Sequence, residues 1–230
     1  SYNRLMKDMT DWLTEKQAAY PGLKKEMIFV PSQYWGNGRE DELRSLNRNL
    51  PKSSIMTLTG GKIWGEVSEN FLTQLKQNIE ASGQPYRPVQ LWINWPCTDN
   101  SKQHLILGGG EKFLHPGVDP SLIGGVILNP MQQSEPSKIA LFSAAEYSWN
   151  IWKNEAEAKA VNDIAFNFAE TGRFTETKES AAFRELGKHM INQHMDNRVV
   201  KLEESVELAP KLTNFMNKLK AGQDVSAERK

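Results

Sequence analysis

The sequence predicts an α/β fold: about four parallel strands alternating with helices over residues 1–150, then an α-helical region over 151–230. Three observations carry this. Short apolar runs alternate with segments of helical periodicity. Every run stops at a Gly or a Pro. Beyond residue 150 the helical periodicity continues while the apolar runs cease. Short apolar strands separated by helices are the pattern of a parallel sheet, whose crossover helices cover it.

Taken in order, Leu5, Met6, Met9, Trp12 and Leu13 recur at helical spacing within residues 3–20, with Lys7, Asp8, Asp11 and Glu15 off that face. Pro21-Gly22 is the stop signal. Met27-Ile28-Phe29-Val30 reads as the first strand and ends at Pro31. Leu43, Leu46 and Leu50 mark a helix over 40–50, closed by Pro51. Residues 55–59 are the second strand, ending at Gly60-Gly61. Leu72, Leu75 and Ile79 mark a helix over 69–82, stopped by Gly83. Val89 to Trp95 is the third strand and Val126 to Asn129 the fourth, each followed by Pro. An apolar helix over 137–150 carries Ile139, Leu141, Ala144 and Trp149. Helical patterns then cover 154–170, 178–195 and 203–221, with Pro210 expected to kink or split the last and a polar, frayed tail from Ala221.

Composition narrows the classes. At ~150 residues per domain, 230 residues make one large domain, or one domain and part of another. Lys plus Arg and Asp plus Glu are 28 each, which removes the excess positive charge that nucleic acid or an anionic membrane would select. Hydrophobic residues are 39%, enough to bury a core and to argue against wholesale disorder. The single cysteine, Cys97, excludes an intrachain disulfide and a Cys-rich zinc site. No apolar run approaches the ~20 residues of a membrane span, and no signal peptide opens the chain. Ser1 stands just before a helical pattern without an initiator Met, so a processed or excised chain is expected.

No GxGxxG or GK[ST] phosphate motif is present. Gly108-Gly109-Gly110 falls in a long loop and reads as a flexible turn. Four βα units are also half of a (β/α)8 barrel, a fold whose functional groups sit at the carboxyl ends of its strands. Those ends carry Pro31-Ser32-Gln33-Tyr34-Trp35, then Thr59-Gly60-Gly61, then Trp92, Asn94, Trp95 and Asp99, then Asn129 and Pro130-Met131-Gln132. Amides and a carboxylate suit paired sugar hydroxyls, and aromatic faces suit the apolar side of a sugar ring. The same residues also suit plain packing and turn capping, and composition alone leaves both readings open.

The stretch Leu91-Trp92-Ile93-Asn94-Trp95-Pro96-Cys97-Thr98-Asp99 resembles a motif of glycoside hydrolase family 84. So do Val30-Pro31-Ser32-Gln33-Tyr34, Thr59-Gly60, Leu128-Asn129-Pro130-Met131 and Ala144-Ala145-Glu146-Tyr147-Ser148-Trp149-Asn150. That family holds the bacterial β-N-acetylglucosaminidases, often named hyaluronidases, and the O-GlcNAcases. The resemblance covers nearly the whole chain and is nearest the secreted hyaluronidase-type members. It implies the C-terminal half of a (β/α)8 glycosidase barrel over 1–150 and a helical region over 151–230. It implies N-acetylglucosamine-containing glycans as partners, an extracellular or cell-surface location, and no metal or organic cofactor. By resemblance, Asp99 and Asn129 would bond sugar hydroxyls, Tyr34, Thr59 and Trp92 would line the N-acetyl pocket, and Asn94 would orient the machinery from the barrel floor.

Family members use substrate-assisted catalysis run by two adjacent aspartates, outside the usual two-carboxylate scheme. By resemblance that pair belongs to a strand upstream of Ser1. The chain contains no Asp-Asp. Its nearest adjacent acids, Glu40-Asp41 and Glu203-Glu204, read as solvated helix faces. No catalytic residue is therefore assigned within this chain, and the chain by itself is expected to be inactive or nearly so. His104, His115, His189 and His194 form no HExxH motif. Cys97 reads as a buried structural thiol. Phe166, Phe168, Met190, Met195, Phe215 and Met216 read as core of the helical region. The alternative function is a noncatalytic carbohydrate-binding or protein-interaction module. Exposed half-barrel edges also favour a homodimer or larger species.

Overall fold

The computed structural model describes residues 2–99, 105–191 and 208–227. Helix α1 (Tyr2–Lys16) leads into strand β1 (Ile28–Phe29), α2 (Asp41–Asn49), β2 (Ile55–Leu58), α3 (Glu69–Glu80) and β3 (Val89–Pro96). Strand β4 (Ile123–Asn129), α4 (Ser134–Trp149), α5 (Glu155–Thr171), α6 (Lys178–Gly187) and α7 (Leu208–Lys220) follow. The strands form one sheet in the order β1-β2-β3-β4, every pair parallel. This is the α/β alternation expected, with helices after it.

Strand β3 shows how the sheet is built. Val89, Leu91, Ile93 and Trp95 are buried and belong to the core, together with Leu43 and Leu46 of α2, Leu72, Leu75 and Ile79 of α3, and Ile139 and Ala140 of α4. Gln90, Trp92 and Asn94 alternate with them and are only half-buried on the opposite face. The helices thus cover one side of the sheet. The other side carries polar and aromatic residues toward the carboxyl ends.

The amino end of the sheet is held by Arg87. Its guanidinium donates to the carbonyls of Asn47, Leu50, Pro51 and Ser54 at 2.7–3.2 Å, joining the start of β3 to the α2–β2 turn. Helix starts are capped by side chains. The Ser68 hydroxyl accepts from the Phe71 N–H at α3, the Asn154 oxygen from Glu157 at α5, and Thr177 and Ser180 cap α6 reciprocally.

The structure departs from the sequence expectation at several elements. Helix α1 stops at Lys16, short of the Pro-Gly signal, and its apolar stripe is largely uncovered: Met6 is buried, but Leu5, Met9 and Trp12 are 44–56% exposed. Strand β4 begins at Ile123, which pairs with Val89, and Gly125 pairs with Gln90 across a register shift, so its first residues lack the apolar run that announces a strand. The glycine triplet is not a flexible turn. Gly110 is buried, and a Cβ there would come within 2.9 Å of the Trp95 ring and 2.6 Å of the Asn162 side-chain oxygen. Trp95 Nε1 also donates to the Gly108 carbonyl at 3.0 Å. Phe166 is core, but Phe168 and Met216 are 38% and 48% exposed, since α5 and α7 turn those positions outward. Pro210 sits in the first described turn of α7, where a missing N–H costs little. Residues 192–195 and 203–207 of the expected helices, Met195 and the Glu203-Glu204 pair lie outside the described residues, as do His104 and His194.

Candidate functional site

Five of the six residues singled out from the sequence meet at the carboxyl ends of the strands. Tyr34, Thr59, Trp92, Asn94 and Asn129 line one cavity of about 330 Å³, with Val30, Thr57 and Ile63 completing the wall. The period of two along each strand puts them there. Thr57 and Thr59 lie on one side of the β2 segment, and Trp92 and Asn94 on the same side of β3. Asn129 ends β4 opposite Pro96. Asp99 is exposed two residues past Cys97 and is not among the residues of this wall.

Asn94 is the centre of the arrangement. Its Oδ1 accepts from Trp92 Nε1 and from Asn129 Nδ2, both at 2.9 Å. Its Nδ2 donates to the Ile63 carbonyl at 2.7 Å. Thr59 joins the neighbouring loops. Its N–H donates to the Tyr34 carbonyl at 2.9 Å, and its hydroxyl donates to the Lys62 carbonyl at 2.7 Å. The loop from Gly60 to Glu66 folds back so closely that a side chain on Gly65 would collide with the Thr59 carbonyl. Lys62 Nζ and a Glu66 carboxylate oxygen, 2.8 Å apart, cross its mouth.

The wall contains indole, phenol, amide and hydroxyl groups and no charged side chain. Such a surface recognises a neutral ligand by hydrogen bonds and ring stacking. Val30, Thr57 and Ile63 were missed in the sequence. Thr57 was legible from its period-two relation to Thr59, whereas Ile63 gave no signal because a loop brings it in. Just past the end of β3, Cys97 is buried, and burial pushes its thiol above the ordinary range. Among the described residues no group of His, Cys, Asp and Glu stands close enough to hold a metal ion. A larger cavity of about 710 Å³ lies elsewhere, between the amino half of β4 and the end of α4, away from the carboxyl ends.

A parallel sheet with helices on one face and a pocket at its carboxyl ends is the arrangement of (β/α) barrel proteins, whose functional groups gather at those ends. The family model for β-N-acetylglucosaminidases matches residues 1–187, and the chain belongs to that family, glycoside hydrolase family 84. Among solved structures it is similar to CpGH84D, at 27% identity and a TM-score of 0.71 over 98% of this chain and 35% of that one. It is similar in fold to CpGH84B, at 22% identity and a TM-score of 0.61 over 95% of this chain and 37% of that one. An O-GlcNAc hydrolase of Thermobaculum terrenum shares 20% identity and a TM-score of 0.56 over 94% of this chain and 43% of that one. The chain thus spans less than half the length of each of these relatives.

Proposed function

We propose that this chain supplies the sugar-binding side of a retaining β-N-acetylglucosaminidase site that acts on terminal β-linked N-acetylglucosamine by substrate-assisted catalysis. The Asn94-centred network carries the reading. It fixes an indole and two amides around a cavity at the strand ends that Tyr34 and Thr59 also line, the chemistry that a neutral acetamido sugar requires. In this reading Tyr34, Thr59 and Trp92 face the N-acetyl group, and Asn129 and Asp99 bond hydroxyls. Residues 1–150 act as the second half of the barrel and 151–230 as its helical companion.

The acid pair is assigned to a segment outside this chain, since the sequence holds no Asp-Asp and the wall holds no carboxylate. The chain alone is therefore expected to bind without turnover. Incubation at high protein concentration with a chromogenic N-acetyl-β-glucosaminide tests this. A clear rate that disappears in Asp99→Asn overturns the assignment. The same carboxylate-free wall favours a second reading, a noncatalytic carbohydrate-binding module. An intact parent chain with an Asp-Asp after an upstream strand would exclude it. The proposal includes an extracellular or cell-surface location, tested by cell fractionation. It also includes self-association through the open sheet edges, which a monomer by light scattering at micromolar concentration would overturn.

A further inference from the structure

We propose that Glu42, on α2 and outside the cavity, is a positioning residue that sets where Tyr34 stands in the wall. The inference rests on the sugar-binding reading above. Strand β1 pairs with β2 only through Ile28–Ile55 and Phe29–Met56, so its ladder does little to fix the loop that follows. That loop is held by two carboxylates instead, Glu40 on the Asn37 and Gly38 N–H groups after Tyr34 and Glu42 on the residues before it. Glu42 Oε1 accepts from the Ser32 N–H at 3.1 Å, and its Oε2 accepts from the Gln33 N–H at 2.8 Å. These are the two residues just before Tyr34. Gly36 N–H closes the turn on the Gln33 carbonyl at 2.9 Å.

On its far side the Tyr34 carbonyl accepts from the Thr59 N–H. Thr59 leads through the Lys62 carbonyl and Ile63 to Asn94, and Asn94 to Trp92 and Asn129. Tyr34, Thr59, Asn94, Trp92 and Asn129 are thus joined by hydrogen bonds and the short 62–63 link, and Glu42 anchors the Tyr34 end of that path. Two backbone donors on one ionised carboxylate are stronger than neutral bonds. A glutamine at position 42 offers one acceptor oxygen and turns an NH2 toward the other N–H. A blander role exists for any acid in the first turn of α2, favourable interaction with the helix N-terminus. Asp41 shares that role, while the Ser32 and Gln33 N–H groups are bonded to Glu42.

The test compares E42Q, E42D and D41N by tryptophan-fluorescence titration with methyl N-acetyl-β-glucosaminide and methyl β-glucoside. Hydrogen exchange across residues 31–36 is measured in parallel. E42Q is expected to weaken binding of the N-acetyl sugar by about tenfold, with a smaller effect on the plain glucoside, and to speed exchange at Ser32 and Gln33. E42D, which keeps the charge, recovers part of both. D41N behaves like the unchanged chain. Unaltered N-acetyl preference in E42Q, or an equal loss in D41N, overturns the inference and leaves the pocket reading standing. If the unchanged chain binds neither sugar, the pocket reading falls and takes this inference with it.

Discussion

Asn94 has two protein donors on its side-chain oxygen, which suits the aligning role proposed for it better than hydroxyl capture. Asn94→Ala removes the acceptor for Trp92 and Asn129 and the donor to Ile63. The expected cost is about 1–3 kcal/mol of unfolding free energy, the usual penalty for stranded polar groups. Binding of an N-acetylglucosaminide should weaken by at least ~10-fold. Asn94→Asp keeps the acceptor but sets a carboxylate oxygen against the Ile63 carbonyl, so it should hold Trp92 in place and free the loop. Urea denaturation with sugar titration separates the two. Most of this site was legible because strand-end position and side-chain alternation are sequence-local properties. The placement of Ile63 and the bonds of Glu42 were not. Both depend on how a loop returns to a neighbouring element, which no short-range pattern encodes.

At the scale of elements, core helices were readable from their leucine spacing, and β1 to β3 from apolar runs closed by Gly or Pro. The first residues of β4 were hidden because glycines pair by backbone alone. The glycine triplet reads as a plain turn because close approach to Trp95 leaves no mark in the sequence beyond the glycines themselves. Arg87 gives no sequence signal for a similar reason: all four acceptors are main-chain carbonyls. Arg87→Ala should cost about 2–3 kcal/mol, since burial leaves those carbonyls poorly hydrated. Arg87→Lys should recover only part, because an ammonium lacks the planar fork. Denaturant midpoints at constant slope check both.

For the whole molecule, the exposed stripe on α1 and the outer strands β1 and β4 of the described residues are the faces that the proposed self-association would use. The response to base is also a whole-molecule property. The Tyr86 hydroxyl donates to the Leu122 carbonyl and the Tyr147 hydroxyl to the His115 carbonyl. Burial raises both phenols above their ordinary range, and burial raises the Cys97 thiol as well. In the folded state these groups hold their protons more tightly than in the unfolded chain. Their stabilisation is therefore complete below the unfolded thiol range at about pH 8.5 and declines as pH rises through the unfolded tyrosine range at about 10. Urea midpoints between pH 7 and pH 11 should fall on the alkaline side, as expected from that linkage. Tyr86→Phe or Tyr147→Phe should flatten the fall.

The Arg87 clasp also bears on divergence. Because it grips carbonyls and not side chains, it constrains the path of residues 47–54 while leaving most of their identities open. A single arginine inherited with the start of β3 can then serve many different turns. Chimeras that exchange this turn between distant relatives should keep the sheet intact as long as the arginine and the turn length are retained.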